Sequence, residues 1–576
     1  MFGPPRRRAA LNIALVVLAL LLVIGAVLRV RHLTSSPGWF RDEGLYMEVA
    51  WNVAKGEARA GPLNVTWVSP FETHPPLYFL ASGVWMHVTG ALRGDYRANI
   101  QTFRWFSVGC GLLVLLGMWG VGTALGSALL ALLTIAILVF DPWTVMFHRM
   151  GLPYNLLALE FVGALLLAHR YFETPTIGRL TWAAAVAATA PLTVYYGIAL
   201  PVALWVAVGI AGRRRDLWLP PLAFIPLALF LAGVWRVHPV GLDADWAQFR
   251  VDSAGTWNLG DWAQDFTDLL SVSPLVPLGL LGLALLPRRG LSSFLQITVV
   301  LYLFLWLRRP HSQIWLHRAD TGVNVPLITY PLIPLLAPLA LGTSAALLAA
   351  WRHLRGDAVG GQAPGGAVRL RVVTALLAVV VGFTLLFMAS ASMRAIRGLE
   401  PHMESVPPAR WGFLSPLAYD LAVMKTEAEG SPSTGPGVAT FLSQQDVKPT
   451  DLIIAEYPLW WTIPGRHATL TQALAFLGEK TDFFTYPIPH ERFAYPADWH
   501  TARFIVLDEM TSRWRAEFDP AIRAAVREIE SRWRLVFRAG RLEVYAPRVF
   551  PPLQPEEINP LEITPESASA EVIHAF

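Results

Sequence analysis

Apolar runs long enough to cross a bilayer recur through the first two-thirds of this chain, and arginines sit in the connectors between them. The first run extends from about Ala9 to Val30, behind Arg6, Arg7 and Arg8. Others lie near 103–123, 125–141, 152–171, 180–194, 196–212, 217–236, 273–287, 291–308, 326–351 and 370–392. A helix needs roughly 20 apolar residues to span, so about eleven spans are expected, the shorter ones tilted or paired as hairpins. The first run is too long for the apolar region of a signal peptide, and no small-residue cleavage site follows it; it reads as an uncleaved span. Hydrophobic residues make up 54% of the 576 and charged residues 15%. A soluble domain carries about a quarter charged residues, so soluble, disordered and coiled-coil classes are excluded. The single cysteine, Cys110, excludes a disulfide framework and a Cys-based zinc site. No basic block with interleaved aromatics marks a nucleic-acid surface.

Charge parity orients the spans. A further apolar stretch, Pro75 to Gly90, either crosses or does not. If it does not, Arg6–Arg8, Arg170, Arg179, Arg213–Arg215, Arg288, Arg289, Arg352, Arg355, Arg369 and Arg371 all fall on the cytoplasmic side, as the positive-inside rule requires. If it does, most of them face outward. The stretch therefore reads as a helix in the outer interface, within a long outer loop from about 31 to 102. Arg93 and Arg97 then lie outside, against the rule. The N-terminus is placed in the cytoplasm and the membrane is read as the plasma membrane. By the same parity 142–151, the acidic segment 238–272, 309–325 and everything after about 393 lie outside.

Composition changes near 400. Residues 393–437 read as a linker, ending in the Gly-, Ser- and Pro-rich stretch Glu429–Gly437. Strand-like segments follow at 451–457 and 503–508, helical spacing at 520–533, and a hairpin at 534–546. These predict a small α/β outer domain over 438–550, and the Pro- and Glu-rich tail 551–576 reads as disordered. The fold class expected is an α-helical polytopic membrane protein, its membrane module spanning 1–392, with a small C-terminal α/β extracytoplasmic domain.

The first outer loop carries adjacent acids, Asp42 and Glu43, with Tyr46 three positions on. Acids beside a bilayer boundary mark a site when they are not simply a solvated pair neutralised by Arg41. Further along, His74-Pro75-Pro76-Leu77-Tyr78 fixes a helix start, where the prolines remove donors that have no partner anyway. Asp141 to Arg149 ends in His148-Arg149, and Thr329-Tyr330-Pro331 precedes a late span ending its motif at Pro334. Together, in this order and sidedness, these segments resemble the GT-C superfamily of membrane glycosyltransferases. They are most similar to the protein O-mannosyltransferase, aminoarabinose transferase and rhizobial core galacturonosyltransferase-like group. Thr329 stands where that group usually has arginine.

The resemblance implies transfer of a sugar from a polyprenyl-phosphate donor to an acceptor hydroxyl or amine, with inversion at the anomeric carbon. Asp42 matches the group's catalytic aspartate and would be the base, within hydrogen-bond reach of the acceptor. Glu43 matches the neighbouring acid and would orient acceptor or base. Charge growing on the departing phosphate calls for donors and cations: Arg149 first, then His148 and His74, with Arg308, Arg309 and Arg318 as a further basic rim. Tyr195 and Tyr196 occupy a turn where many relatives carry lysine; they would donate a hydrogen bond there or belong to the aromatic belt. No cofactor is expected to be required. A divalent ion (Mg or Mn) is the alternative to the arginines, with Asp42, Glu43, Glu48 and Asp141 as hard oxygen ligands. Expected partners are the lipid-linked donor, a lipid, glycan or protein acceptor, and membrane lipid. A polytopic lipid or glycan transporter or flippase is the competing reading, but such proteins carry inverted repeats and mid-membrane ionisable groups. Here the acids cluster at the outer edge, Glu160 being the one that stands out mid-run, and no repeat is visible.

Overall fold

In the computed structural model the described residues are 4–33, 41–57, 59–64, 75–90, 96–237, 263, 266, 269–270, 275–287, 289–307, 315–318, 323–326, 330–360, 366–396, 435–460, 463–481, 484, 486–508, 511, 516, 519–539 and 542–548. Helices occupy all the apolar runs read from the sequence. They are α1 (Pro4–Val30), α2 (Arg41–Ala54), α3 (Leu77–Val88), α4 (Tyr96–Leu125), α5 (Ala128–Phe140), α6 (Pro142–His148), α7 (Pro153–Glu173), α8 (Ile177–Thr193) and α9 (Ala199–Ile210). Next come α10 (Ile225–Val237), α11 (Leu275–Ala284), α12 (Leu291–Leu307), α13 (Ile333–Gly360) and α14 (Gly366–Ile396). Among the described residues, five helices are long and apolar enough to cross a membrane unaided, and six if the bent pair α5–α6 counts as one. Several other runs form shorter apolar helices, among them α11 and α12. Side chains on α1 behave as in a lipid-facing helix: Ile13, Val16, Leu20, Val23 and Val27 are exposed, while Ala14, Leu18 and Leu28 are buried. The chain is a helical membrane protein.

Close helix contacts depend on glycine. Gly282 of α11 meets the backbone of Gly342 on α13, where a Cβ would overlap the Gly342 carbonyl. Packing without a side chain between backbones is how helices associate in lipid, where apolar surface alone gives no preference.

The expected interfacial helix is α3. Its Tyr78 and Phe79 pack edge-on and tilted against Tyr46 of α2, and Tyr78 edge-on against Phe103 and Phe106 of α4. Trp85 donates to the carbonyl of Thr102 at 2.9 Å. The segment 142–151, expected as an outer loop, holds a short helix packed into the bundle. Asp141 caps α6 by accepting from the Thr144 amide, Pro142 takes the first position, and the chain bends by 68° between α5 and α6. Every residue of α6 is buried.

Two small antiparallel hairpins come first in the chain, β1 (Arg59–Ala60) with β2 (Leu63–Asn64) and β3 (Trp315–Arg318) with β4 (Val323–Pro326). A five-stranded mixed sheet lies in the C-terminal region. It comprises β5 (Leu452–Ile454), β6 (Arg466–Ala468), β7 (Phe504–Leu507), β8 (Trp533–Ala539) and β9 (Leu542–Pro547), in the order β6-β5-β7-β9-β8. Pairing is parallel from β6 to β7 and antiparallel from β7 to β8. The helix Pro520–Arg532 starts at an Asp519 cap and buries Ile522, Ala525, Val526 and Ile529, one apolar stripe. Most of the 393–437 segment, and the tail from 549, lie outside the described residues.

This sheet region is joined to the first outer loop by the hairpin of β1 and β2. The amide of Ala494 donates to the Pro62 carbonyl at 2.7 Å, Gln472 donates to the Ala60 carbonyl at 3.3 Å, and Leu63 bridges to Phe493. Gly61, at φ +56°, sits under the Trp460 ring, where a Cβ would lie 2.5 Å from the ring edge.

Candidate active site

Four segments converge at one end of the bundle: the end of α1, the first turn of α2, the head of α4, and the bend from α5 through α6 into α7. What draws them together is a set of buried charges. Glu43 accepts from Arg104 Nε at Oε1 and from Arg104 Nη2 at Oε2, both at 2.8 Å, a bidentate pair with both side chains at most 1% exposed. Its Oε1 also accepts from the Gly151 amide at 2.7 Å. A Cβ at Gly151 would overlap the Phe103 ring, so only glycine lets that amide approach.

The same cluster closes the end of α1. A helix ends with carbonyls that have no partner, and in a membrane they cannot all rely on water. Arg149 Nη1 donates to the Leu28 carbonyl at 2.8 Å and Nη2 to that of His32 at 3.0 Å, while Arg104 Nη1 donates to Leu33 at 2.7 Å. His32 itself adopts the left-handed conformation, φ +54°, that turns the chain there. One turn earlier Arg29 donates to the carbonyls of Gly25 (3.1 Å) and Leu138 (2.9 Å) and through Nε to His148 Nδ1 at 3.0 Å. Accepting at Nδ1 leaves the His148 proton on Nε2. Gly111 of α4 makes room for that ring. Among the described residues three arginines, Arg29, Arg104 and Arg149, and two acids, Glu43 and Asp141, are buried together here.

The sequence-expected residues fall as follows. Asp42 lies on the first turn of α2 beside Glu43; its side chain, and the whole of His74, lie outside the described residues. Glu43, His148 and Arg149 belong to the cluster, Arg149 as a clamp on α1 and His148 as an acceptor for Arg29. Tyr195 is half-buried in a 3-10 turn, Tyr195–Ile198, after α8; its neighbour Tyr196 packs edge-on against Tyr302, 5.9 Å between ring centres. Tyr302 in turn donates to the carbonyl of Pro331 at 2.7 Å, which ties that turn to the Tyr330-Pro331 motif. Glu160 is buried against this turn: Thr193 donates to its Oε1 at 2.8 Å, and its Oε2 has no hydrogen-bond partner among the described residues. Arg308, Arg309 and Thr329 lie outside the described residues, as does the side chain of Arg318.

Of the acids weighed as metal ligands, Glu43 has both oxygens on protein donors, Asp141 caps α6, and Glu48 accepts from Asn52 at 2.7 Å. Burial raises the Glu48 carboxyl above its ordinary value, opposed by that hydrogen bond and by Arg59. No group of three metal-binding side chains occurs among the described residues.

Sequence reasoning missed Arg29, Arg104 and Gly151. A signal existed for the arginines: both sit at ends of apolar runs that charge parity assigns to the outside, where the positive-inside rule disfavours them. A cation in the wrong place is one with a partner.

No family model matches this chain, and no curated protein sequence does either. Solved structures do. ArnT from Cupriavidus metallidurans bound to undecaprenyl phosphate is 17% identical, with a TM-score of 0.57, over 93% of this chain and 98% of that one. The same enzyme in the apo state gives 17% identity and a TM-score of 0.53 over the same shares. The chain has the GT-C fold. An oligosaccharyltransferase from Archaeoglobus fulgidus, tethered to an acceptor peptide, is more distant, at 13% identity and a TM-score of 0.48 over 90% of this chain and 72% of that one. The GT-C fold likeness extends over nearly the whole length, so it takes in the C-terminal sheet as well as the helices.

Proposed function

We propose that this chain is an inverting glycosyltransferase that uses a polyprenyl-phosphate sugar at the outer face of the plasma membrane. The observation that carries the reading is the fixed first turn of α2, braced by the Glu43–Arg104 pair and the Gly151 amide within a GT-C fold. A base must be held to within fractions of an ångström of its target to be effective, and this bracing supplies that rigidity next to Asp42. The solved likeness holding undecaprenyl phosphate supports a lipid-linked donor.

In the proposed reaction the acceptor hydroxyl or amine attacks the anomeric carbon as its proton passes to Asp42. The bond from that carbon to the phosphate oxygen breaks, and polyprenyl phosphate departs with the electron pair. Glu43 has no oxygen left over for substrate and acts as a positioning residue. Arg149, with Arg29 and Arg104, contributes positive charge beside the reacting centre, where low dielectric makes it effective. His148 orients Arg29, and His74 and Tyr195 are the proposed hydrogen-bond donors to the phosphate.

The test compares envelope glycans and glycoproteins by mass spectrometry in cells with the gene, without it, and with Asp42→Asn. A glycan absent without the gene is expected, and Asp42→Asn should lower its formation by about 10²–10⁴-fold with protein level unchanged. A wild-type profile from Asp42→Asn would overturn the assignment of the base. Identical profiles with and without the gene would overturn the transferase reading, including against a transporter that delivers the same lipid.

A further inference from the structure

At the end of α7 opposite the acid–arginine cluster, α7 and α8 enclose a crevice of about 340 Å³ lined by Leu167, Arg170, Glu173, Arg179 and Trp182. None of these residues belongs to the site above: 21 residues of α7 separate the two ends, roughly 30 Å of helix. The loop between α7 and α8 folds back so that Arg179 Nη1 donates to the carbonyls of Arg170 (3.0 Å) and Thr174 (3.3 Å). This holds the Arg179 guanidinium over the crevice mouth. The Arg170 guanidinium makes no hydrogen bond or ion pair with any described residue. Glu173 is turned to His169, 3.4 Å from its Nε2. The lining therefore carries two cations and one acid.

Its apolar side is as specific as its charged side. Trp182, one turn beyond Arg179, is 68% exposed. An indole at that level, between charged heads and apolar tails, is the side chain typical of a membrane interface. Leu167 is the apolar residue of α7 in the lining. The exposed turn Arg214–Asp216 lies at the same end, tied to α7 by Tyr171 donating to Asp216 at 2.6 Å.

We infer that this crevice binds the headgroup phosphate of an anionic membrane phospholipid, with Arg170 and Arg179 on the phosphate and Trp182 and Leu167 along the start of the acyl chains. Its net charge of +1 fits a singly charged phosphodiester better than a free, doubly charged phosphate. The exposed Trp182 indole and Leu167 beside the two arginines suit an amphipathic ligand better than a soluble anion.

The experiment uses the full-length protein in nanodiscs of equal parts phosphatidylglycerol and phosphatidylcholine, with native mass spectrometry counting the lipids retained on release. Wild type is expected to retain phosphatidylglycerol preferentially, and Arg170→Gln with Arg179→Gln to reduce that retention about five-fold for each arginine removed. The control Arg214→Gln with Arg215→Gln, at the same end but outside the crevice, should retain it as wild type does. Unchanged retention in the crevice variant, equal loss in the control, or displacement of the lipid by millimolar inorganic phosphate would each overturn the inference. If the paired variant does not accumulate, Arg170→Gln alone decides, since it breaks no hydrogen bond among the described residues.

Discussion

Glu43 has two carboxylate oxygens and three donors on them, two from Arg104 and one from Gly151. Removing either charge of such a pair leaves the other buried without compensation, which costs far more than the pair itself contributes. Glu43→Ala should therefore lower unfolding free energy by roughly 3–5 kcal/mol, whereas Glu43→Gln with Arg104→Gln should recover much of that loss. Thermal melts of the purified protein check both, and equal destabilisation by single and double variants would show that the charges are not coupled. At this scale the sequence was half legible. The acid pair at 42–43 stands out because carboxylates beside an apolar run are expensive. Its partner does not, because an arginine at the head of a run looks like an ordinary flank until the bundle folds around it. Arg149 was legible as a cation near the site, but its hold on the Leu28 and His32 carbonyls follows from where α1 ends, which no local pattern states.

Elements were easier to read than their mutual contacts. Apolar runs became helices because in lipid the backbone has no other way to satisfy itself, and the stretch 75–90 is a helix as expected, Leu77–Val88. The short helix within 142–151 went unread because Asp141-Pro142 was weighed as part of a loop. Those two residues are an N-cap and a first-turn proline, the start signal of α6. The hairpin at 59–64 left no signal at all: two-residue strands take their stability from what they dock on. That docking surface has a titratable group. Burial holds the His467 imidazole at about 4, below its ordinary 6.5, beside the Trp460 ring that covers Gly61. A depressed imidazole adds stability above the unfolded value, and that contribution disappears as pH falls through the folded one. Between about pH 6.5 and 4 wild type should lose at most about 3 kcal/mol from this group. His467→Gln should flatten that limb of a melting-temperature profile; an unaltered acid limb would remove His467 from the account.

Across the whole molecule, α2 is braced from two directions. The membrane bundle holds its first turn through Arg104. The sheet region holds its far end through the hairpin, where Asn52 donates both to Glu48 and to the Arg59 carbonyl. Deleting residues 435–547 should leave the helices able to insert, but hydrogen exchange over 41–54 should rise by an order of magnitude or more as one brace goes. Unchanged protection there would mean the sheet region is a passenger. The sequence announced this region as a separate α/β unit from its change in composition, and gave no hint that a strip 400 residues earlier completes its surface. A chimera cut at the obvious junction near 435 would thus carry half of a joint. The exchangeable module is the C-terminal sheet together with residues 57–64, and any graft onto another scaffold has to move both.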